Sequence, residues 1–490
     1  MLFSSFEFIF IFLPIIIILF LFFNKKNRNI FSFVIIIFSL YFYSFSNSSW
    51  LLILVFSIIF NFLVGKSLIK NSSKLILFLG IFSNLLVLIY FKYTNFFLEN
   101  LNNFFSIKLN YLDIILPIGI SFFTFQQIAF LIDANKKKIK NPSFINYSLF
   151  VSFFPQLIAG PIILYGDIIK QLEKKISFRF FKKNFFIGLF IFNIGLFKKM
   201  CIADTLEIFS KPIFYQAETD QTLTFIECWS GLISYSFQIY FDFSGYSDMA
   251  IGLAKMFGIT LPINFNSPYK SNSIIEFWKR WHITLSTFFK HYIYFPLGGN
   301  REGIFRQLLN ILFVMTLAGF WHGASWNFII WGGLHGIFIV TNHLWRILTK
   351  SWFESKKLNI IKVLLTFLCV TVAWAFFRAE TVNGALNIIS GCFPFFNSSI
   401  FLEYSEIDYY LPYIYQIKWF VLLFIVIWIL PNTNQISIYL KSPSFKRGSL
   451  SIYKYNLNNS YIHLVIISFF LFIASFPGNQ LNQPFIYFQF

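Results

Sequence analysis

Charge is scarce in this sequence, and negative charge scarcest: 12% of the 490 residues are Asp, Glu, Lys or Arg, with 20 acidic against 39 basic. So little charge cannot clothe a water-soluble protein in which 57% of residues are hydrophobic. Cysteine is scarce too. Cys201, Cys228, Cys369 and Cys392 show neither paired nor metal-ligand spacing, so they read as small core residues and no metal site is expected. No hydrophilic linker or soluble module interrupts the chain, so residues 1–490 read as one domain. Inverted repeats and low-complexity tracts are missing as well, apart from a Phe, Ile, Asn and Lys bias along the whole length.

What the chain does have is long apolar runs, with 74 phenylalanines among them. Phe8 to Phe23, Leu75 to Tyr90 and Ile361 to Phe377 each suffice to cross a hydrocarbon core of about 30 Å. In lipid such runs must be helical, because every backbone N–H needs an internal partner. The reading is therefore an all-α, polytopic integral membrane protein. Its first run is expected to be a permanent span, since Lys25, Lys26 and Arg28 follow the apolar stretch instead of preceding it. The net charge of +19 does not point to nucleic acid, because the basic residues cluster at the ends of apolar runs, where they orient spans.

Those clusters give a topology. Lys25, Lys26 and Arg28 follow span one, Lys66, Lys70 and Lys74 span three, and Lys136, Lys137, Lys138 and Lys140 span five, so alternate loops face the cytoplasm and the N-terminus faces out. The stretch Phe144 to Tyr165 is basic on both flanks, with Lys170, Lys174, Lys175, Arg179, Lys182 and Lys183 after it, and Pro155 and Gly160-Pro161 interrupt it. It is expected to be a re-entrant element, with an amphipathic surface helix as the alternative. Phe185 to Leu196 then leads out to a loop holding Asp204, Glu207, Glu218 and Asp220, against which Lys198 and Lys199 count, and Leu223 to Tyr240 leads back. Phe241 to Arg306 is cytoplasmic. Leu308 to Trp321, Asn327 to Val340, Ile361 to Phe377, Trp419 to Leu430 and Ile462 to Phe476 complete about 11–12 spans, with a second acidic outer loop at Glu380, Glu403, Glu406 and Asp408.

Against this background Tyr240 to Arg306 concentrates polar and aromatic residues beside spans, and polar groups there are expensive enough to imply a task. Phe241 to Asp248 is read as closing a span, with Asp242 or Ser244 capping the helix and its carboxylates Asp242 and Asp248 pairing with the loop's Lys and Arg; a metal site or an acid pair is the alternative. Pro262 to Tyr269 has the Pro and Asn chemistry of an ordered loop that frames a ligand entrance or simply connects. Five of the six histidines fall between positions 282 and 343. His282 ends Glu276-Phe277-Trp278-Lys279-Arg280-Trp281-His282, a run suited to an anionic, ring-bearing ligand or to an interfacial aromatic belt. His322 stands about sixteen residues, or roughly 24 Å of helix, beyond Arg306 and thus inside the membrane. It lies in Gly319-Phe320-Trp321-His322-Gly323-Ala324-Ser325-Trp326-Asn327, followed by Trp331-Gly332-Gly333-Leu334-His335-Gly336, which reads as a tight packing seam or a buried general base.

With these residues the sequence resembles the membrane-bound O-acyltransferase superfamily, and within it the bacterial alginate O-acetylation proteins and peptidoglycan-acetylating relatives. The resemblance rests on Pro117 to Gln126, Phe153 to Pro161, Asp242 to Asp248, Phe277 to Ser286 and Trp321 to Gly336, and closes at Trp374 to Ala379, giving a core of about residues 117–378. The flanking spans, 1–110 and 418–477, match in hydrophobicity alone. Ala134 after Ile132-Asp133 departs from the aromatic residue usual in the family.

The resemblance implies a multi-pass protein of the bacterial inner membrane. It would take an acyl group, commonly acetyl from acetyl-CoA on the cytoplasmic side, with no bound cofactor. It would pass that group through the protein to a hydroxyl of an extracytoplasmic glycan or to a periplasmic acetyl-transfer partner. His322 matches the family's essential histidine and is assigned as base. His282 matches the second polar position, and with Trp281 it would orient the donor or stabilise the oxyanion, while Lys279 and Arg280 would meet the donor phosphates; Asn327 and His335 are further substrate-contacting candidates. An acyl-histidine intermediate stays open, as do two rival classes: a polysaccharide or lipid-linked-sugar transporter without acyl transfer, and an inert export scaffold. Membrane lipids are the other expected partners, and His343 and His463 are expected to be replaceable.

Overall fold

The computed structural model describes residues 1–23, 28–172, 178–219, 223–349, 358–393, 410–441, 457–475 and 485–486, which form helices and their connections with no strand among them. Six helices are long and apolar enough to cross a membrane: Ser49–Lys70, Lys74–Phe105, Phe181–Glu218, Gly303–His322, Trp326–Thr349 and Asn359–Arg378. Shorter apolar helices lie at Glu7–Phe23, Ser32–Ser44, Gln416–Trp428 and Val465–Ala474. The topology markers Lys25, Lys26, Lys174, Lys175, Asp220, Glu403, Glu406 and Asp408 lie outside the described residues, as does the side chain of His463.

Two compact units divide the chain. The first comprises Met1–Leu196, Tyr246–Ile263 and Pro443–Gln489. Its helices present apolar residues outward, Leu52, Phe56 and Phe104 among the most exposed, which in water would be a gross defect and against lipid is none. Inside, amides hold the helices together. Asn61 and Asn84 exchange side-chain hydrogen bonds at 3.0 and 2.7 Å, Ser57 and Tyr147 donate to Gln127, and Gln126 donates to Gln156 at 2.6 Å. Such bonds replace the hydrophobic drive that lipid-facing helices lack.

The stretch expected to be re-entrant is broken as its prolines require. Phe144–Ser152 and Phe154–Leu157 are short helices meeting at Phe153, and a non-helical run leads on to Tyr165–Leu172. Residues 147–163 are buried, so this is an element packed within protein and not a surface helix.

The second unit comprises Phe197–Gly245 and Asn264–Ser442. Here two expectations fail for one reason. The acidic stretch after Leu196 is no loop: Phe178–Phe197 continues through a π-helical turn at Lys198–Ala203 into Asp204–Glu218. Nor does Asp242 close a span, since it lies inside the 32-residue helix Phe225–Met256. The cause is Lys199, whose ammonium sits 2.8 Å from Asp204 and 2.7 Å from Asp242, all three buried. The residue that weighed against the outward loop is the counter-ion that lets both helices run on.

Pro262 to Tyr269 is the ordered loop its composition predicts. Asn432 donates to Asn266 and Ser267, Asn434 to the Phe265 carbonyl, and the Tyr269 hydroxyl to the Ser236 carbonyl at 2.6 Å. Gly303–His322 and Trp326–Thr349 form a hairpin around a three-residue turn. Their backbones touch where the glycines lie: a Cβ on Gly319 would fall 2.2 Å from the Phe328 carbonyl, and one on Gly332 2.4 Å from the Met315 carbonyl. Any larger residue would push the hairpin apart.

Candidate active site

The site lies within the second unit, where four sequence signals converge. Its floor is the helix Ile274–Arg280, started by Ser273, whose hydroxyl accepts from the Glu276 N–H while the Glu276 carboxylate accepts from the Asn272 N–H. The helix stops at Trp281, and the chain turns at His282, whose backbone is left-handed with φ +41° and ψ +54°. For a residue with a side chain this conformation costs about 1–3 kcal/mol, and it persists only where its surroundings hold it.

Asn264 does the holding. Its backbone carbonyl accepts from Ile283 N–H at 3.0 Å, and its side-chain carbonyl accepts from the Thr284 N–H at 3.3 Å and the Thr284 hydroxyl at 2.9 Å. The same side-chain oxygen lies 3.1 Å from His282 Nδ1. A backbone N–H can only donate, so the atom facing Thr284 is oxygen, and the His282 nitrogen facing that oxygen carries a proton. His282 is fully buried, and burial pushes its basicity down to about 3. It is therefore a neutral ring with Nδ1–H and a bare Nε2.

His322, the last residue of its helix, is buried and walled by aromatic rings. Trp321 at 4.9 Å, Trp331 at 5.2 Å and Phe377 at 5.3 Å surround it, and the His282 ring lies 6.5 Å away, centroid to centroid. At that spacing the two imidazoles are too far apart to bond directly and close enough to hold a substrate oxygen between them.

His335 completes the group with the opposite polarity. The Trp278 indole N–H donates to His335 Nδ1 at 3.3 Å, so the proton of this buried ring is on Nε2. His335 Nε2 and, 4.9 Å away by ring centroids, Trp331 Nε1 are buried donors that no acceptor among the described residues meets. Buried donors left open in this way are uncommon in a folded interior.

The other candidates separate by environment. Trp281 is embedded between Tyr240, Phe265, Tyr269, Phe277 and Trp374 and acts as core packing. Arg280 is held by Glu276 at 2.7 Å and also donates to the Asn266 carbonyl, whereas Lys279 is exposed. Asn327 donates to the Ala379 carbonyl at 2.7 Å, tying the hairpin to the end of the helix Asn359–Arg378. No cluster of metal ligands occurs among the described residues. Sequence reading overlooked Asn264, Trp278 and Trp331. The first is eighteen positions from the histidine it touches, and no local pattern joins them.

The profile of the MBOAT, membrane-bound O-acyltransferase family matches residues 35–378. Its end coincides with Arg378, where the sequence resemblance closes, and its start lies well before residue 117. The chain is 44% identical over 374 residues to the peptidoglycan O-acetyltransferase of Helicobacter pylori, covering 70% of each chain. It is 40% identical over 324 residues to the "Probable alginate O-acetylase AlgI" of Pseudomonas putida, covering 65% of this chain and 64% of that protein. These matches give no support to the transporter reading.

Proposed function

From its membership of the membrane-bound O-acyltransferase family this chain is a multi-pass membrane acyltransferase, and we propose that it moves an acetyl group from cytoplasmic acetyl-CoA to a hydroxyl of an extracytoplasmic glycan or of a periplasmic acetyl-transfer partner. Peptidoglycan and alginate, the acceptors in the names of its relatives, define the class. The observation that carries the reading is the meeting of His282 and His322 in one buried aromatic cluster, with the N–H groups of Trp331 and His335 beside them.

A thioester is already activated, so the reaction needs a base for the hydroxyl and donors for the oxyanion. In this reading His322 takes the hydroxyl proton as the oxygen attacks the thioester carbonyl, and His335 Nε2–H and Trp331 Nε1–H steady the tetrahedral oxyanion. Collapse breaks the C–S bond, and the imidazolium returns its proton to the departing thiolate. Exposed Lys279 is the residue for the donor phosphates; Arg280, already engaged by Glu276, contributes charge more than contact. The alternating basic clusters support an outward N-terminus and cytoplasmic Tyr269 and Gly303 in the inner membrane.

The test is acetyl transfer from labelled acetyl-CoA in membranes carrying the protein. His322→Ala is expected to lower transfer per folded molecule by about 10²–10⁴-fold, the usual worth of a general base. Activity within about threefold of the parent, under ~1 kcal/mol of barrier, removes His322 from the role. For topology, a reporter at Gly303 that is active only outside would place the donor on the wrong face.

A further inference from the structure

The two sides of the transfer make opposite demands. A thioester carbonyl only accepts hydrogen bonds, whereas an attacking hydroxyl must give one up. His335, protonated at Nε2 because Trp278 occupies its Nδ1, suits the first. His282 has been locked the other way, and the lock is one residue.

We infer that Asn264 is a positioning residue which holds His282 as the Nδ1–H tautomer, so that His282 meets the substrate as a hydrogen-bond acceptor and takes an O–H or N–H of the substrate, not the oxyanion. Three observations support this. Asn264 bonds consecutive positions, His282 through the ring, Ile283 through its backbone and Thr284 through both N–H and hydroxyl, so one side chain fixes both the left-handed turn and the ring that projects from it. The acceptor character of its oxygen is set independently of the histidine, by the Thr284 N–H. Finally, the fully buried ring packs edge-to-face with Phe243 at 4.8 Å and Trp321 at 6.5 Å, so turning over to exchange its nitrogens would disturb that packing. A third ring packed on it, His322, is titratable, and burial keeps the His282 ring neutral beside it. An amide oxygen thus does for His282 what an orienting carboxylate or amide does for a catalytic imidazole generally, while adding no charge to an apolar pocket.

The inference rests on the acyl-transfer reading for its consequence but not for its measurement. The full chain, labelled with ¹⁵N-histidine and held in lipid nanodiscs, gives the protonation of each ring nitrogen by solid-state NMR. The His282 signals are assigned by difference against His282→Gln or, should that variant not accumulate, against Asn264→Leu. Nδ1 protonated and Nε2 bare at neutral pH is the expected result; a protonated Nε2 overturns the proposal whether or not the protein transfers acyl groups.

Activity gives the second arm. Asn264→Leu removes the lock and is expected to lower kcat by about 10²-fold, the scale of a mis-set tautomer or lost base, with KM for the thioester little changed. Asn264→Asp keeps every acceptor oxygen and so the turn, but places a negative charge on the ring, which favours imidazolium. A protonated Nε2 can no longer accept, so activity is lost as pH falls through the raised pKa, and the acid limb of the rate profile moves to higher pH. A residue that only held the turn would leave that limb in place. An unmoved limb in Asn264→Asp, or Asn264→Leu activity within threefold of the parent, rejects the assignment. If the unmodified chain transfers no acyl group, the acyl reading fails, and the NMR result decides the tautomer by itself.

Discussion

Two buried polar clusters sit in the second unit, and they are neutralised in different ways. Lys199, Asp204 and Asp242 form an ion-paired cluster that closes at 2.7 and 2.8 Å, within helices that continue through it. His282, His322 and His335 are buried as deeply, yet two of them have their tautomers set by a single neighbour each, Asn264 and Trp278, and His335 Nε2 meets no acceptor among the described residues. A cluster whose members satisfy one another fixes architecture. In the proposed acyl transfer the donors of His335 and Trp331 would meet the substrate oxygen.

Removing one member should expose the difference, most severely in the charged cluster. Lys199→Met leaves two carboxylates buried without their cation, and about 3–5 kcal/mol of destabilisation is expected, read as lost folded protein after detergent extraction. Activity per folded molecule should be unchanged; a specific loss of activity there would erase the distinction. Next comes the hairpin that carries His322 and His335. Gly319→Val forces a branched side chain into the Phe328 carbonyl and should cost accumulation too, whereas Gly333→Ala, whose Cβ meets only the Thr316 hydroxyl at 3.8 Å, should be neutral or stabilising by up to ~1 kcal/mol. Equal thermal shifts in the two variants would show that the close approach does not govern packing.

In the neutral cluster the expected effects fall on rate. Trp278→Phe keeps the ring and deletes the donor to His335 Nδ1, so about tenfold of activity should go, the worth of one buried hydrogen bond, with little change in melting temperature. A change in melting temperature without a change in rate would move His335 from chemistry to packing. Smallest of all, His343→Ala, on the half-buried tail of the same helix, should stay within about threefold of the parent, under ~1 kcal/mol.

Much of this was legible in the chain. Apolar run length announced the helices, Pro155 and Pro161 announced a broken buried element, and the crowding of histidines between 282 and 343 marked the region where the fold brings His282, His322 and His335 into one aromatic cluster. The errors came where a charge had a distant partner. Lys199 looked like a loop residue and Asp242 like a helix cap, because a sequence does not show that forty-three positions of separation can close to 2.7 Å. Trp281 shows the same limit, since an aromatic beside a candidate histidine carries no sign in sequence of the five rings that the fold packs against it.

By itself, then, the sequence determined the class of solvent, since its apolar runs must form helices in lipid, and the set of residues with chemistry to offer. Tertiary structure alone decided what each histidine can do. An imidazole is donor or acceptor at a given nitrogen only through the group that meets the other one, and those groups, the Asn264 amide and the Trp278 indole, stand eighteen and fifty-seven positions away from the rings they set.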